Sequence, residues 1–148
     1  MLAGRWHGVS ALCIFCAMVG DRSKVPHWLA ESERALAFLD IHPIRRGHAL
    51  VIPKAHARDL SDVSAADLAA VAALIPEVAA CLRRRLGTTG ENIFVASGPG
   101  SEQSVFHLHA HIIPRRPDDD LRWNDWWQTR VRPATFPELA TLAREIRG

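Results

Sequence analysis

The order of apolar and polar residues predicts short strands that outnumber the helices. An apolar-rich run on each side of Ser32-Glu33 is typical of a β-hairpin, with these two residues at the turn. Pro53 and Pro114 each close another short apolar run, as expected where a strand ends. Strands are predicted over residues 28–31, 34–40, 48–52, 92–96 and 105–113. Hairpin-like connections favour the α+β class, with an antiparallel sheet of about five strands.

The long central helix of this fold is predicted over residues 65–86. Ser64 followed by Asp67 resembles a capping box, and Gly87 suits a left-handed helix end. Pro76 lies inside the pattern and is expected to kink or break the helix. One apolar stripe is formed by Leu68, Val71, Ile75, Val78 and Leu82.

The C-terminal region combines a predicted helix with a tryptophan cluster. A C-terminal helix is predicted from Pro137, with Leu139, Leu142 and Ile146 on one face. The cluster consists of Trp123, Trp126 and Trp127. It can stack on a base or pack against a partner subunit, and the enrichment of Trp at interfaces favours the partner.

Composition and charge indicate an ordinary globular chain, which we expect to form a single domain over residues 1–148. Hydrophobic residues make up 48% and charged residues 23%, which excludes a disordered or fibrous protein. The net charge is only +2, so bulk electrostatic binding of nucleic acid is not expected. The arginines at 83–85 are interpreted as a solvated helix end rather than a phosphate patch. No uninterrupted apolar run reaches about 18 residues, so no membrane span is expected.

The N-terminal segment allows two interpretations. The uncharged run Trp6–Gly20 follows Arg5 as in a signal peptide, but it contains His7 and lacks a small-residue cleavage site. We therefore favour a loose lead-in over residues 1–12 of a cytoplasmic protein. Cys13 and Cys16 form a Cys-x-x-Cys pair, which in a reducing compartment favours metal binding over disulfides.

Three histidines alternate with apolar residues in the last predicted strand. Side chains two residues apart in a strand share a face, so His107, His109 and His111 are predicted to line one side. The residues predicted to pack into the core on the other side are Phe106, Leu108, Ala110 and Ile112. Successive histidines would stand about 6.7 Å apart at their Cα atoms. Two rings can then contact one phosphate while the third serves another purpose.

This row of imidazoles predicts phosphoryl-transfer chemistry, although a solvated polar face of a sheet is the simpler alternative. Neutral imidazole is a nucleophile near neutral pH, and it can form a phospho-imidazole that water cleaves. A second, protonated imidazole can stabilise the charged phosphoryl oxygens. Backbone N–H groups of the small loop at residues 98–101 can also help to hold phosphate.

Four motifs in this chain, taken in order, resemble those of the histidine triad (HIT) superfamily, and of its zinc-containing, Hint-like branch. The motifs are Cys13-Ile14-Phe15-Cys16, the hairpin segment 37–43, the strand segment 47–56 and the triad segment 103–115. The resemblance covers about residues 13–115. It implies a homodimer of HIT-like fold that cleaves nucleoside phosphoramidates or adenylate conjugates at the α-phosphate.

The resemblance also implies roles for individual residues. His109 would attack the α-phosphorus and form a covalent nucleotidyl-histidine. His111 would bind the phosphoryl oxygens, and Ser104 would assist the leaving group. The nucleotide-binding residues implied in this way are Phe15, Phe38, Asp40, Ile41, Gln103, Ser104, His109 and His111. From the sequence alone, Asp40 could equally be a turn residue and each apolar member ordinary core.

A structural zinc ion is the cofactor that the resemblance implies. Two cysteines spaced Cys-x-x-Cys provide half of a tetrahedral zinc site. The full set of ligands implied by the resemblance is Cys13, Cys16, His56 and His107. This site would withdraw His107 from direct catalysis. The alternative is that both cysteines act as small buried apolar residues.

Two departures from the family pattern keep other functions open. Ala96 stands where the family usually has Asn, and neighbouring Ser97 could replace that amide only by a shift of one residue. Glu102 stands where Gly usually precedes the Gln, and its carboxylate could repel polyphosphate tails. The alternatives are a dinucleoside polyphosphate hydrolase and a nucleotide-binding regulatory module with little turnover. A DNA-end processing enzyme is the least favoured, because the chain carries little excess charge.

Overall fold

Five antiparallel strands and one long helix build the larger part of the structure, a computed structural model that describes residues 13–148. The strands are β1 (Trp28–Glu31), β2 (Ala35–Leu39), β3 (Ala49–Pro53), β4 (Gly90–Val95) and β5 (Ala110–Arg115). The helices are α1 (Ile14–Gly20), α2 (Ala65–Leu86), α3 (Trp123–Gln128) and α4 (Phe136–Arg147). The order β1-β2-β3-β5-β4 confirms the expected α+β class with a five-stranded antiparallel sheet.

The sheet is apolar on both faces, because its residues alternate between two clusters. On one face, small residues such as Ala37 and Val51 pack against α2. On the other, larger residues such as Phe38 and Leu50 pack with α1. His111 is paired with Leu50 across the ladder and therefore lies on the α1 face. The candidate site is built on this second face.

Helix α2 has the bounds that the sequence predicts. The Ser64 side chain accepts from the backbone N–H of Asp67, and Gly87 ends the helix with φ 65°. Of the kink or break predicted at Pro76, the break does not occur: the helix is unbroken, and Pro76 lies on its exposed side, where water can satisfy the freed carbonyl. The predicted stripe is wrong at Leu68, which is 39% exposed, whereas Leu74 is buried instead.

Within residues 13–148, α2 is the one helix long and apolar enough to cross a membrane by length and composition alone. The sequence predicts no span, because no uninterrupted apolar run reaches about 18 residues. The helix packs against β1, β2, β3 and β5, through side chains that include Val71, Val78 and Leu82. These contacts are those of a core helix lying on a sheet.

The triad strand is shorter than predicted. β5 begins at Ala110, whereas the sequence pattern predicted a start at residue 105. The strand partners end there, since the ladders with β3 and β4 both reach no further than Ala110. Phe106, predicted to lie in the core, is 46% exposed, while Leu108, two residues on, is buried as expected.

The structure divides into two compact units, the first ending at Pro117 and the second spanning Asp118–Gly148. The prediction of a single domain over the whole chain stays a prediction. In the second unit, α4 opens with a full capping box between Thr135 and Glu138. The exposed side chains of this unit include Trp126, Trp127, Leu139, Leu142 and Ile146.

The predicted lead-in over residues 1–12 lies outside the described residues. So does the first half of the uncharged run that was compared with a signal peptide. The second half of that run forms α1, whose Phe15, Cys16 and Met18 are buried.

Candidate active site and metal site

Two histidines of the triad lie side by side on the α1 face. The ring centroids of His109 and His111 are 4.9 Å apart, and His109 is only 2% exposed. His109 Nδ1 lies 2.8 Å from the carbonyl oxygen of His107. Because a carbonyl can only accept, Nδ1 carries a proton, and in the neutral ring the lone pair is on Nε2. The chain therefore presents His109 as the tautomer that is nucleophilic at Nε2.

A fourth histidine, His48, fixes the protonation of His111. The backbone N–H of Ile44 donates to His48 Nδ1 at 3.2 Å, so the proton of neutral His48 is on Nε2. His48 Nε2 lies 2.9 Å from His111 Nδ1 and donates to it. His111 in turn holds its own proton on Nε2, as a donor.

Sequence reasoning assigned no role to His48, although a signal was present. His48 lies two and four residues before Leu50 and Ile52, so the strand period places it on the same face as the site.

Burial keeps both of these rings neutral at pH 7. Burial, together with the nearby His109 and His48, lowers the pKa of His111 to about 4, and only Asp40 opposes the shift. Burial likewise lowers the pKa of His48, against the attraction of the Asp40 carboxylate. The hydrogen bonds that run from the Ile44 N–H through His48 to His111 therefore involve two uncharged imidazole rings.

Asp40 belongs both to a turn and to the site. Its Oδ1 accepts from the backbone N–H of His42 at 2.8 Å, which is the local turn that the sequence left open. Its Oδ2 lies 3.6 Å from His48 Nε2. The two alternatives for Asp40 are thus compatible.

Aromatic side chains from α1 and β2 adjoin the histidines. The Phe15 ring meets the Phe38 ring edge-on at 5.5 Å. It meets the rings of His107 and His109 in the same way, at 5.7 and 5.5 Å. Ile41, the third apolar residue of the implied base slot, is 65% exposed directly after Asp40. Phe15 and Phe38 are thus brought to the site, and Ile41 is available to a ligand.

Gln103 ties together the loops that flank the triad. Its Oε1 accepts from the backbone N–H of Gly98 at 2.8 Å. Its Nε2 donates to the carbonyls of Arg58 and Val105, at 2.6 and 2.9 Å. The amide is buried and both of its polar atoms are hydrogen-bonded within the chain, whereas Ser104, the next residue, is exposed.

The structure shows the local role of Ser97, next to Ala96, and the backbone conformation of Glu102, the two positions that depart from the family pattern. Ser97, beside Ala96, accepts from the backbone N–H of Leu60 through its Oγ at 2.9 Å. That hydroxyl therefore holds a loop in place. Glu102 has φ 61°, the left-handed conformation that favours glycine. A glycine, which the family resemblance implies at this position, would adopt this conformation without strain.

The four predicted zinc ligands converge. Cys13 Sγ lies 3.4 Å from His107 Nδ1, and Cys16 Sγ lies 3.2 Å from His56 Nδ1. The four ligand atoms all lie within 4.8 Å of one another. Zinc bonds of about 2.3 Å to sulfur and 2.0 Å to nitrogen, at tetrahedral angles, place such atoms about 3.5 Å apart.

The protonation of His107 also suits a metal ligand. His107 Nε2 donates to the carbonyl of Pro53 at 2.8 Å, which leaves the Nδ1 lone pair facing the two sulfur atoms. Burial lowers the pKa of His107 to about 4, so the ring is neutral. The residues present therefore fit a closed Cys₂His₂ zinc site.

A second group of possible ligand atoms, on Asp40, His48 and His111, is equally compact, with distances within 4.8 Å. It does not suit a metal, because the Ile44 N–H holds the His48 proton on Nε2, the atom that faces the group. We interpret this group as a hydrogen-bond relay.

A family model described as the HIT domain matches residues 23–118, and the chain belongs to this family. The adenosine 5'-monophosphoramidase hnt1 of Schizosaccharomyces pombe is 37% identical over 135 residues, 90% of this chain and 95% of that protein. The adenylylsulfatase HINT3 of Arabidopsis thaliana is 33% identical over 109 residues, 74% of this chain and 55% of that protein.

Solved structures share the fold. A zinc-bound histidine triad family protein from Mycobacterium smegmatis is 40% identical with a TM-score of 0.69, over 76% of this chain and 81% of that one. A protein of Streptococcus mutans is 32% identical with a TM-score of 0.80, over 99% of this chain and 91% of that one. The resemblance drawn from the motifs is thus confirmed at the level of family and fold.

Proposed function

We propose that the chain is a hydrolase that transfers a nucleotidyl group from a nucleoside phosphoramidate, or a similar adenylate conjugate, to His109 and then to water. The observation that carries this proposal is the hydrogen bond from His109 Nδ1 to the His107 carbonyl, which frees Nε2 as the nucleophile. The names of the S. pombe and A. thaliana relatives both refer to adenylate conjugates.

In the first step, His109 Nε2 forms a bond to the α-phosphorus while the bond from phosphorus to the leaving group breaks. The departing amine takes up a proton, which the exposed hydroxyl of Ser104 is suited to relay. In the second step, water attacks the same phosphorus and breaks its bond to His109. The products are the free amine and a nucleoside monophosphate, and the histidine is regenerated.

His111 acts on the phosphoryl oxygens in both steps. The proton on its Nε2 is available for donation to a phosphoryl oxygen, because its Nδ1 is occupied by His48. Since burial keeps the ring neutral, it stabilises the developing charge as a fixed dipole.

The nucleoside portion would bind beside the aromatic pair. Phe15 and Phe38 offer an apolar surface to the base, with Ile41 at the exposed edge. The Asp40 carboxylate would accept hydrogen bonds from ribose hydroxyls, as a fixed acceptor with two oxygens suits. Gln103 would support the phosphate-side loops that its amide already connects.

We further propose that zinc occupies the Cys13, Cys16, His56 and His107 site. The fit of the four ligand atoms supports this, as does the zinc bound to the M. smegmatis protein. When bound, zinc would supply a tetrahedral cross-link between the start of α1, the segment after β3 and the triad segment. A cytoplasmic location is proposed with it, because a reducing compartment keeps the free thiols available.

A homodimer is proposed from the free edge of the sheet. Within residues 13–148, β4 pairs only with β5, and three successive apolar residues, Ile93, Phe94 and Val95, are exposed on it. An exposed apolar edge strand is a site for pairing with a second copy.

The test is release of AMP from an adenosine phosphoramidate by wild type, His109→Ala and His42→Ala, an exposed histidine as control. Wild type and His42→Ala should both release AMP, whereas His109→Ala should lose activity by about 10⁴-fold or more. Acid-quenched wild type should carry an adenylate on His109 by mass spectrometry. Activity that survives in His109→Ala would overturn the proposal.

The alternatives give different results in the same assay. A dinucleoside polyphosphate hydrolase would prefer a diadenosine polyphosphate, and Glu102 disfavours that outcome. A regulatory binding module would show thermal stabilisation by AMP with no product from either substrate. The missing amide at Ala96 is the observation that keeps this second alternative open.

A further inference from the structure

An imidazole that the proposed mechanism does not use lies beside the base slot. The ring of His27 meets the ring of Phe38 edge-on, with the two centroids 5.9 Å apart. Phe38 pairs in turn with Phe15, and Phe15 contacts the nucleophile His109. These ring contacts run from the nucleophile through the aromatic pair to His27, which is the order of phosphate and base in a nucleotide. His27 therefore lies at the base end of the site.

Backbone hydrogen bonds hold His27 at this end of the site. Its carbonyl accepts the N–H of Leu39 at 3.0 Å, and Leu39 directly precedes Asp40, the residue proposed to bind the ribose. The N–H of Trp28, the next residue, donates to the carbonyl of Val25 at 3.3 Å, and the Val25 side chain is fully buried. The backbone of His27 is thus fixed beside the segment that leads to the ribose carboxylate.

The Nε2 atom of His27 is buried and has no hydrogen-bond partner within residues 13–148. By contrast, each of four other histidines uses at least one ring nitrogen in a hydrogen bond, namely His48, His107, His109 and His111. A buried polar atom without a partner destabilises the fold, and such atoms are uncommon in native proteins. The unpaired nitrogen lies at the edge of an apolar slot, where a polar group of a ligand can satisfy it.

We infer that His27 is a specificity-determining residue, whose Nε2 forms a hydrogen bond with the polar edge of the nucleotide base. The inference rests on the proposed function, and it adds a polar contact to the apolar slot of Phe15, Phe38 and Ile41. A ring nitrogen of neutral imidazole donates or accepts according to its tautomer, so it can pair with an amino, carbonyl or ring-nitrogen group. The χ2 torsion of histidine is broad, so a rotation of the ring turns Nε2 to a bound base. A base without a polar edge leaves Nε2 unpaired and binds more weakly.

The experiment compares the affinity of the full chain for AMP and for indole ribonucleoside 5'-monophosphate, whose base has the two-ring shape of adenine without a polar outer edge. Calorimetric titration of wild type, His27→Phe and His42→Phe gives the ratio of the two dissociation constants. Wild type should bind AMP about 10-fold more tightly than the indole nucleotide, as should His42→Phe, which makes the same change at an exposed histidine. In His27→Phe this preference should fall by about 10-fold. An equal preference in His27→Phe and wild type would overturn the inference.

Two further measurements separate a contact with the base from a structural role of His27. His27→Phe keeps an aromatic ring against Phe38 and removes the unpaired nitrogen, so it should raise the Tm of nucleotide-free protein by about 2–4 °C. His27→Gln carries an amide that can reach the position of Nε2, and it should retain most of the preference for AMP. A lower Tm in His27→Phe with an equal loss of affinity for both nucleotides would contradict the inference. Loss of the preference in His27→Gln as complete as in His27→Phe would contradict it too.

These outcomes differ from failure of the proposed function itself, because the titration measures binding and does not depend on turnover. If wild type cleaves no phosphoramidate while its preference for AMP still depends on His27, the hydrolase proposal fails and the base contact stands. If wild type releases AMP from a phosphoramidate but its preference is unchanged in His27→Phe, only the inference about His27 fails.

Discussion

Each histidine of the triad is oriented by a different hydrogen-bond partner. His107 donates to Pro53, His109 donates to the carbonyl of His107, and His111 accepts from His48. Three residues of the same type therefore differ in the nitrogen that each keeps available. His107 turns its Nδ1 toward the cysteine sulfur atoms, His109 has its Nε2 available as a nucleophile, and His111 can donate from its Nε2.

Lowering the pH below 6.5 should destabilise the fold through His107 and His111. In the unfolded chain a histidine takes up a proton near pH 6.5, whereas burial lowers the pKa of both residues to about 4. Between these values the unfolded state binds more protons, so the free energy of unfolding falls as the pH falls. The full stability from this source is present above pH 6.5.

Denaturant unfolding of zinc-free protein at pH 7 and pH 4.5 measures this effect, which should be on the order of 2 kcal/mol for each histidine. In His111→Asn the difference between the two pH values should shrink by about one such contribution. An equal difference in the variant and in wild type would contradict the assignment to His111.

Two substitutions of Glu102 separate the effect of its backbone strain from the effect of its negative charge. Its left-handed φ of 61° costs about 1 kcal/mol for a residue with a Cβ atom, so Glu102→Gly should raise Tm by about 2–4 °C. Glu102→Gln keeps the strain but removes the charge and should leave Tm unchanged. Both variants should cleave a diadenosine polyphosphate faster than wild type, relative to a phosphoramidate. If the relative rate rises only in Glu102→Gly, loop conformation and not charge sets the preference.

At the scale of elements, the residues at and just beyond the ends of strands position the site as much as the strands themselves do. Pro53 ends β3, and its free carbonyl is then used by His107. The turn before β3 positions His48, whose N–H donates to the Arg45 carbonyl. His107 and His48 are therefore held by hydrogen bonds at the points where the strand pairing of β3 stops.

Gly47 in that turn should not tolerate a side chain. It has φ +91°, and an added Cβ would lie 2.5 Å from Leu86 Cδ1 and 3.3 Å from Pro114 Cγ. Gly47→Ala should lower the free energy of unfolding by about 2 kcal/mol and reduce kcat through displaced His48. Gly20→Ala is the control, because its added Cβ meets nothing within 4 Å. Chemical denaturation and steady-state kinetics provide the two readouts, and equal stability of the two variants would refute the clash.

At the scale of the whole molecule, the edge strand β4 gives a test of the proposed dimer. Val95→Lys places a charge on the exposed apolar edge and should convert a dimer to a monomer in light scattering. Leu60→Lys, at an exposed apolar residue outside the sheet, should leave the dimer intact. A dimer that persists in Val95→Lys would place the interface elsewhere.

Local patterns predicted the elements whose causes are themselves local. The ends of α2 were predicted correctly because Ser64 and Gly87 act on their nearest neighbours. The start of β5 was not, because it depends on where β3 and β4 stop, far away in the chain. Leu68 and Leu74 exchanged places in the buried stripe because the sheet, and not the helix period alone, selects the buried side.

The sequence by itself determined the family, the chemical types of the candidate metal ligands and the alternation that puts imidazoles two residues apart. These depend on residue identity and short spacing, which a motif contains in full. Only the tertiary structure decided which nitrogen of each histidine is free, and it assigned a role to His48. These properties depend on hydrogen bonds such as those from His107 to Pro53 and from His48 to His111, whose partners lie 54 and 63 residues apart in the chain. No local pattern specifies such partners, because burial and contact between distant segments arise only when the sheet assembles.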